Sequence, residues 1–127
     1  ALEIAPSLPD VPTHNKMIFG LADDPEILAA IEGTGRHTAV LVGLETDVCV
    51  AQSALGLLER GYRVVAVADA TGSPGTAHVA GLARMRDAGV IIVDTKNLYY
   101  EWLRTVARVG QFRRANADVK VPDGMRL

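Results

Sequence analysis

The sequence predicts an α/β fold in which a parallel sheet is covered by helices on both faces, a three-layer arrangement of the Rossmann-like kind. Three largely apolar runs, at residues 39–42, 63–68 and 90–93, indicate buried strands because they are continuous rather than alternating. A stretch with helical periodicity separates each run from the next. Alternating strands and helices with short connections are typical of parallel sheets with right-handed crossovers.

The composition describes a globular protein of 127 residues, of which 49% are hydrophobic and 22% are charged. This length allows one α/β domain with a core, although it is small for a complete doubly wound enzyme. The formal net charge is −2, so we expect no general attraction to nucleic acid or to anionic membranes. The single cysteine cannot form an internal disulfide, and no leader-like segment opens the sequence, which favours a cytoplasmic location.

The first third of the chain predicts one short strand and one helix after an irregular start. Residues 1–15 contain three prolines and should be irregular, and residues 16–19 could form a short strand. Asp23 or Asp24 would cap a helix that Pro25 opens.

The last third predicts two helices and an irregular tail. Ser73 as N-cap and Pro74 at the first helical position should start the first of them. Asp94 or Thr95 should cap a single final helix, and from Gln111 to residue 127 the helical pattern dissolves. The stripe of that final helix, a core or interface face, comprises Leu98, Trp102, Thr105, Val106 and Val109.

The only cysteine, Cys49, follows the first predicted strand. Thr46 or Asp47 would cap the helix that begins there, and Gly61 would end it. Free N–H groups and the positive end of the helix dipole in a first turn favour a thiolate. Ligands also bind outside the carboxyl ends of strands in such sheets. Cys49 is therefore a candidate nucleophile; the alternative is a small buried hydrophobic side chain.

The segment GLETDVCV, followed by AQSALGLLERGYRVVAVADATGSP, resembles the nucleophile segment of the isochorismatase-like cysteine hydrolases, which include nicotinamidase and N-carbamoylsarcosine amidase. The resemblance extends from about Lys16 to Trp102. It implies hydrolysis of a C–N bond in a small amide, ureide or carbamoyl compound by a Cys, Lys and Asp group through a thioester. It also implies a homo-oligomer, because family members commonly form dimers or larger assemblies. We expect no cofactor.

The same resemblance implies roles for individual residues. Cys49 would attack the carbonyl carbon, and Lys16 would stabilise negative charge, although from the sequence pattern alone Lys16 is a solvated charge. The backbone N–H groups of Glu45 and Cys49 would hold the oxyanion. The Leu44–Glu45 peptide bond would be cis.

The family's catalytic aspartate, which ends a first strand, has no counterpart in this sequence. Asp10 lies in a proline-rich segment and is not assigned that role. We therefore expect residues 1–127 to be the carboxyl-terminal portion of a longer hydrolase domain. The edge beside the cysteine strand would then be open, and a partner segment or another chain would have to cover it.

Three polar residues are possible supporting residues of the site: Thr46, Asp47 and Asp69. Asp69 follows a predicted strand and is more readily explained as capping or orienting a loop than as a base, and Asp47 as a turn residue. The three histidines have no metal-ligand spacing, so no metal site is predicted, and His78 is expected to pack in the core or on the surface.

Two alternatives to a hydrolase remain. A non-catalytic or truncated module could serve in oligomer assembly through the aromatic residues Tyr99, Tyr100 and Trp102. A nucleotide-binding α/β module is the other alternative, but the sequence contains no phosphate-binding loop.

Overall fold

The computed structural model describes residues 10–119. Within this range three parallel strands form one sheet in the order β1–β2–β3. The strands are β1 (Thr38–Leu44), β2 (Arg63–Gly72) and β3 (Ile91–Val93). The helices are α1 (Pro25–Gly33), α2 (Ala51–Glu59), α3 (Ala77–Asp87), α4 (Thr95–Leu103) and α5 (Val106–Ala115). The predicted α/β fold with a parallel sheet is confirmed.

One face of the sheet packs against α2 and α3. Val64 and Ala66 of β2 belong to the core on this face, and their exposed fractions are 1% and 0%. Leu57 of α2 and Met85 of α3 lie in the same core and are 1% and 0% exposed. Because side chains alternate between the faces of a strand, the neighbouring Val65 faces the other way. It is also buried, which explains the continuous apolar run of β2.

The opposite face is covered only in part, by α4. Val40 and Val65 line an open groove of about 910 Å³ together with residues of α4. At the carboxyl end of β1, Val42 is 60% exposed and Leu44 is 73% exposed. Among residues 10–119, no strand pairs with the side of β1 that faces away from β2. The sheet therefore has an open edge at the strand that precedes Cys49.

Two helix starts follow the predicted capping pattern. The carboxylate of Asp24 accepts hydrogen bonds from the backbone N–H groups of Glu26 and Ile27, and Pro25 opens α1. The carboxylate of Asp94 accepts a hydrogen bond of 2.6 Å from the N–H of Asn97 at the start of α4. Such hydrogen bonds can be predicted from the sequence because they join residues that are two or three positions apart.

Two predicted starts are wrong. Residues 16–19 form no strand, and residues 17–19 bend, with the Lys16 ammonium donating to the carbonyl oxygens of Ile18 and Phe19. Helix α3 begins at Ala77 and not at Pro74. Ser73 does not cap it, because its hydroxyl donates to the side chain of Asp47 instead.

The single final helix is also wrong, because the chain breaks between α4 and α5. Arg104 has a φ of 66°, and the Thr105 hydroxyl caps α5 by accepting from the N–H of Arg108. Helix α5 then continues to Ala115, past the predicted end of the helical pattern at Gln111. Among the described residues of α4 and α5 none is fully buried, so their apolar stripe is not a core face. Residues 1–9 and 120–127 of the predicted irregular ends lie outside the described residues.

Candidate active site

Cys49 lies in a single π-helical turn, Thr46–Val50, which joins β1 to α2 and is called here the cysteine turn. The N–H of Val50 donates to the carbonyl oxygen of Glu45 at 3.0 Å, a bond that spans five residues. The predicted α-helical start is therefore wrong in detail, and Glu45 is the N-cap residue. Single π turns are rare and are often found at functional sites. The Leu44–Glu45 peptide bond is cis, as predicted.

Thr46 binds a residue of α3 instead of capping the cysteine turn. It is 0% exposed, and its Oγ1 lies 2.9 Å from Nδ1 of His78. The sequence interpretation missed this pair because His78 stands among small apolar residues on a helix. In the structure His78 lies three residues before Gly81, which also faces the cysteine turn, but nothing in the sequence marked this face of the helix.

Asp47 is a turn residue held by the loop before α3. The hydroxyl of Ser73 donates to Oδ1 of Asp47 at 2.6 Å, and the N–H of Asp47 approaches the same hydroxyl oxygen at 3.4 Å. Gly81 lies directly against this residue, since a Cβ at Gly81 would be 2.8 Å from both Cα and N of Asp47. Helix α3 therefore packs on the backbone of the cysteine turn.

Lys16 and Cys49 line the same small open pocket, of about 130 Å³. Lys16 is half-buried, and its ammonium donates to the carbonyl oxygens of Ile18 at 2.9 Å and Phe19 at 2.8 Å. The other lining residues are Leu21, Leu41, Val42, Leu44, Val50 and Ser53. No carboxylate among the described residues lines this pocket. The structure thus brings Lys16 and Cys49, which are 33 positions apart in the sequence, to the same pocket.

Ser53 is a second site residue that the sequence interpretation missed. It lies on α2, is 4% exposed, and its hydroxyl donates to the carbonyl oxygen of Cys49 at 2.6 Å. The hydroxyl oxygen of Ser53 also accepts a hydrogen bond from the N–H of Leu21 at 3.1 Å. A serine four residues after the cysteine offered a weak signal, because serine in a helix often donates to the carbonyl four positions back.

Asp69 orients a loop away from the pocket. Its Oδ1 accepts from the N–H of Thr95 at 2.7 Å and from the Thr95 hydroxyl at 2.9 Å. These bonds tie β2 to the first turn of α4, which agrees with the loop-orienting interpretation.

In the part of the chain that is described, no group of three His, Cys, Asp or Glu side chains is arranged to hold a metal ion. No helix within residues 10–119 is long and apolar enough to span a membrane.

Comparison with known proteins places these features in a family. The model of the isochorismatase domain matches residues 2–97. Isochorismatase domain-containing protein 2A of Mus musculus is 28% identical over 126 residues, which cover 94% of this chain and 60% of the mouse protein.

Solved structures share the fold. The YcaC gene product of Escherichia coli, an octameric hydrolase of unknown specificity, gives a TM-score of 0.77 at 26% identity, covering 87% of this chain and 57% of that one. YcaC from Pseudomonas aeruginosa, with hexane-2,5-diol and covalent acrylamide, gives 0.73 at 28% identity, covering 87% and 58%. The nicotinamidase of Staphylococcus aureus gives 0.64 at 18% identity, covering 72% and 62%, and is alike in fold.

The chain therefore spans 60% of the length of the mouse relative and 57% of the Escherichia coli structure. The match to the domain model covers most of the chain and includes both Lys16 and Cys49. On this evidence the chain belongs to the isochorismatase family.

Proposed function

We propose that the protein containing this chain is a cysteine-dependent hydrolase of a small amide, ureide or carbamoyl compound. The observation that carries the proposal is the shared pocket of Cys49 and Lys16 beside the cysteine turn. Most of its other lining residues are apolar, and a fixed positive charge acts more strongly on a developing negative charge beside apolar groups than in bulk water.

In the proposed reaction, the sulfur of Cys49 attacks the carbonyl carbon of the substrate and the C–N bond breaks. The nitrogen leaves with a proton, and an acyl thioester remains on Cys49. Water then attacks the thioester, which releases the acid and restores the thiol. The Lys16 ammonium and the backbone N–H groups of Glu45 and Cys49 would stabilise the oxyanion in both steps.

The proposed base is an aspartate from outside the described residues. A group that takes the thiol proton has to reach the cysteine, and no carboxylate within residues 10–119 lines the pocket. Asp47 and Asp69 are already bound by Ser73 and Thr95. We therefore assign both aspartates supporting roles in the fold of the site.

Two relatives support this chemistry and a homo-oligomeric state. YcaC from Pseudomonas aeruginosa is solved with covalent acrylamide, and because nucleophiles add to the vinyl carbon of acrylamide, this adduct supports a reactive nucleophile in that protein. The Escherichia coli protein is octameric, and Trp102 and Val106 of this chain are 62% and 90% exposed, which suits a contact between copies. A small-molecule substrate and a cytoplasmic location are part of the same proposal.

A second candidate function is that of a non-catalytic assembly module. The open edge of β1 and the pocket without a described carboxylate favour it for the chain alone. The two candidates make different predictions for the full product of the gene.

The test is a hydrolysis assay on the full gene product with a panel of small amides, ureides and carbamoyl compounds, followed by release of ammonia. We expect turnover of at least one compound, its loss in Cys49→Ala, and a fall of about a hundredfold in Lys16→Ala. Lys96→Ala is the matched control, because Lys96 belongs to α4 and lines the open groove of the sheet, not this pocket. Turnover that survives Cys49→Ala would refute the proposal, and no turnover of any compound would favour the assembly module.

A further inference from the structure

We propose that Ser53 is a positioning residue that holds the segment carrying Lys16 against the cysteine turn. The proposal rests on the proposed function, since it concerns how the two polar groups of that site are kept together. Ser53 acts through its contacts with two backbone groups and is not itself assigned a chemical step.

The hydroxyl of Ser53 joins two distant segments of the chain. It donates to the carbonyl oxygen of Cys49 at 2.6 Å and accepts from the N–H of Leu21 at 3.1 Å. The first contact is a common one for a serine in a helix. The second is not local, since Leu21 precedes Ser53 by 32 residues, and it uses one of the two lone pairs of the hydroxyl oxygen.

The segment that receives this contact is seated closely on α2. Its short 3₁₀ turn, Leu21–Asp23, contains Ala22, which is 2% exposed. A Cβ added at Gly56 of α2 would lie 3.1 Å from the Cβ of Ala22, so there is little space between the two. The 3₁₀ turn therefore packs closely on α2 at Gly56, which is three residues after Ser53.

The same segment carries Lys16 in a closed loop. The Lys16 ammonium donates to the carbonyl oxygens of Ile18 and Phe19, which lie two and three residues after Lys16 and directly before the buried Gly20. A continuous set of contacts therefore runs from Cys49 through the Ser53 hydroxyl to Leu21 and back to Lys16. Without that hydroxyl, the half-buried N–H of Leu21 and the Cys49 carbonyl would each lose a partner. We infer that the separation of ammonium and thiol depends on Ser53.

The experiment measures the local positive charge at Cys49 in the full gene product, without any substrate. Alkylation rates are compared for iodoacetate, which is anionic, and iodoacetamide, which is neutral. Their ratio rises when a cation lies close to the sulfur, so Lys16→Ala should lower it about three- to tenfold. Ser53→Ala should lower the ratio by a similar factor, and should change it less than twofold in the Lys16→Ala background.

Two variants separate positioning from general damage. Ser53→Thr keeps the hydroxyl and should keep the ratio near that of the unmodified protein. Ser73→Ala removes a hydroxyl that binds the cysteine turn from the opposite side, at Asp47, and should leave the ratio unchanged. A loss of fold alone would change the alkylation rates of both reagents by a similar factor and would leave their ratio unchanged.

Three outcomes overturn the proposal: a ratio that Ser53→Ala leaves unchanged, an equal fall in the Lys16→Ala background, or a ratio that does not depend on Lys16. Because no substrate is used, a protein that hydrolyses none of the tested amides can still show this link. Equally, an active hydrolase can lack it.

Discussion

The two sides of β1 differ in how completely they are packed. On one side β1 pairs with β2, whose Val64 and Ala66 are 1% and 0% exposed. On the other side no described strand is present, and Val42 and Leu44 are 60% and 73% exposed. The side-chain hydrogen bonds described for the cysteine turn come from α2, from α3 and from the loop that connects β2 to α3. The open side is where a base and a covering segment would have to be added.

The packed side of β1 belongs to this chain, whereas the open side needs a further segment to cover it. The described chain contains the cysteine turn together with the hydrogen bonds that hold it, which are those of Thr46, Asp47 and Ser53. That a partner segment or another chain covers the open edge stays a prediction. Four substitutions test the contrast, in order of decreasing expected effect.

The largest effect is expected in the core of the closed side. Leu57→Ala removes a side chain that is 1% exposed, and a cavity of that kind costs about 2–5 kcal/mol of the free energy of unfolding. Urea unfolding measures the change. A cost below about 1 kcal/mol would mean that α2 is not packed against the sheet as described.

The next effect is expected where α3 meets the cysteine turn. Gly81→Ala would place a Cβ 2.8 Å from the backbone of Asp47, which can yield only by moving the turn. We expect a loss of about 1–3 kcal/mol together with slower alkylation of Cys49. Gly33→Ala is the matched control at the end of α1, because its Cβ meets nothing within 4 Å. Equal behaviour of the two variants would contradict the close contact.

A smaller effect is expected from the buried hydroxyl of the turn. Thr46→Val keeps the shape of the side chain but leaves Nδ1 of His78 without its 2.9 Å partner, at a cost of about 1–2 kcal/mol. Thr76→Val is the control, since the exposed Thr76 makes no side-chain cap bond at the start of α3. Thermal unfolding of both variants measures the difference. If Thr46→Val is as stable as the unmodified protein, the hydrogen bond between Thr46 and His78 does not stabilise the cysteine turn.

The smallest effect is expected at the open edge of the chain itself. Val42→Lys should change the stability of the 127-residue chain by less than about 0.5 kcal/mol, because Val42 is already 60% exposed. In the full gene product the same substitution should cost more than about 1 kcal/mol if a further segment covers the edge. Equal small effects in both proteins would show that the edge stays uncovered.

The sequence predicted the parts of the fold that depend on local patterns. Continuous apolar runs located β1 and β2, Asp24 and Asp94 marked two helix starts, and the resemblance at GLETDVCV implied the cis bond before Glu45. These features involve neighbouring residues or a specific motif. They could therefore be recognised without knowledge of packing.

The features that the sequence did not predict depend on contacts between distant segments. The π turn at Cys49 is accompanied by His78 and Ser73 of the α3 region, which bind Thr46 and Asp47. No local pattern distinguishes a histidine that packs from one that binds a threonine across the fold. The break at Arg104 was missed for a different reason, because an apolar stripe continued across it at helical spacing.

The central claim is that Cys49 forms an acyl thioester with a small amide. The most direct measurement is to quench the full gene product during turnover and to determine the mass of the peptide that contains Cys49. We expect a mass increase equal to the acyl group of the substrate, which hydroxylamine reverses and which is accompanied by release of ammonia. The claim would be contradicted if no acyl group were found on Cys49 during turnover and if the Cys49→Ala variant still turned over the substrate.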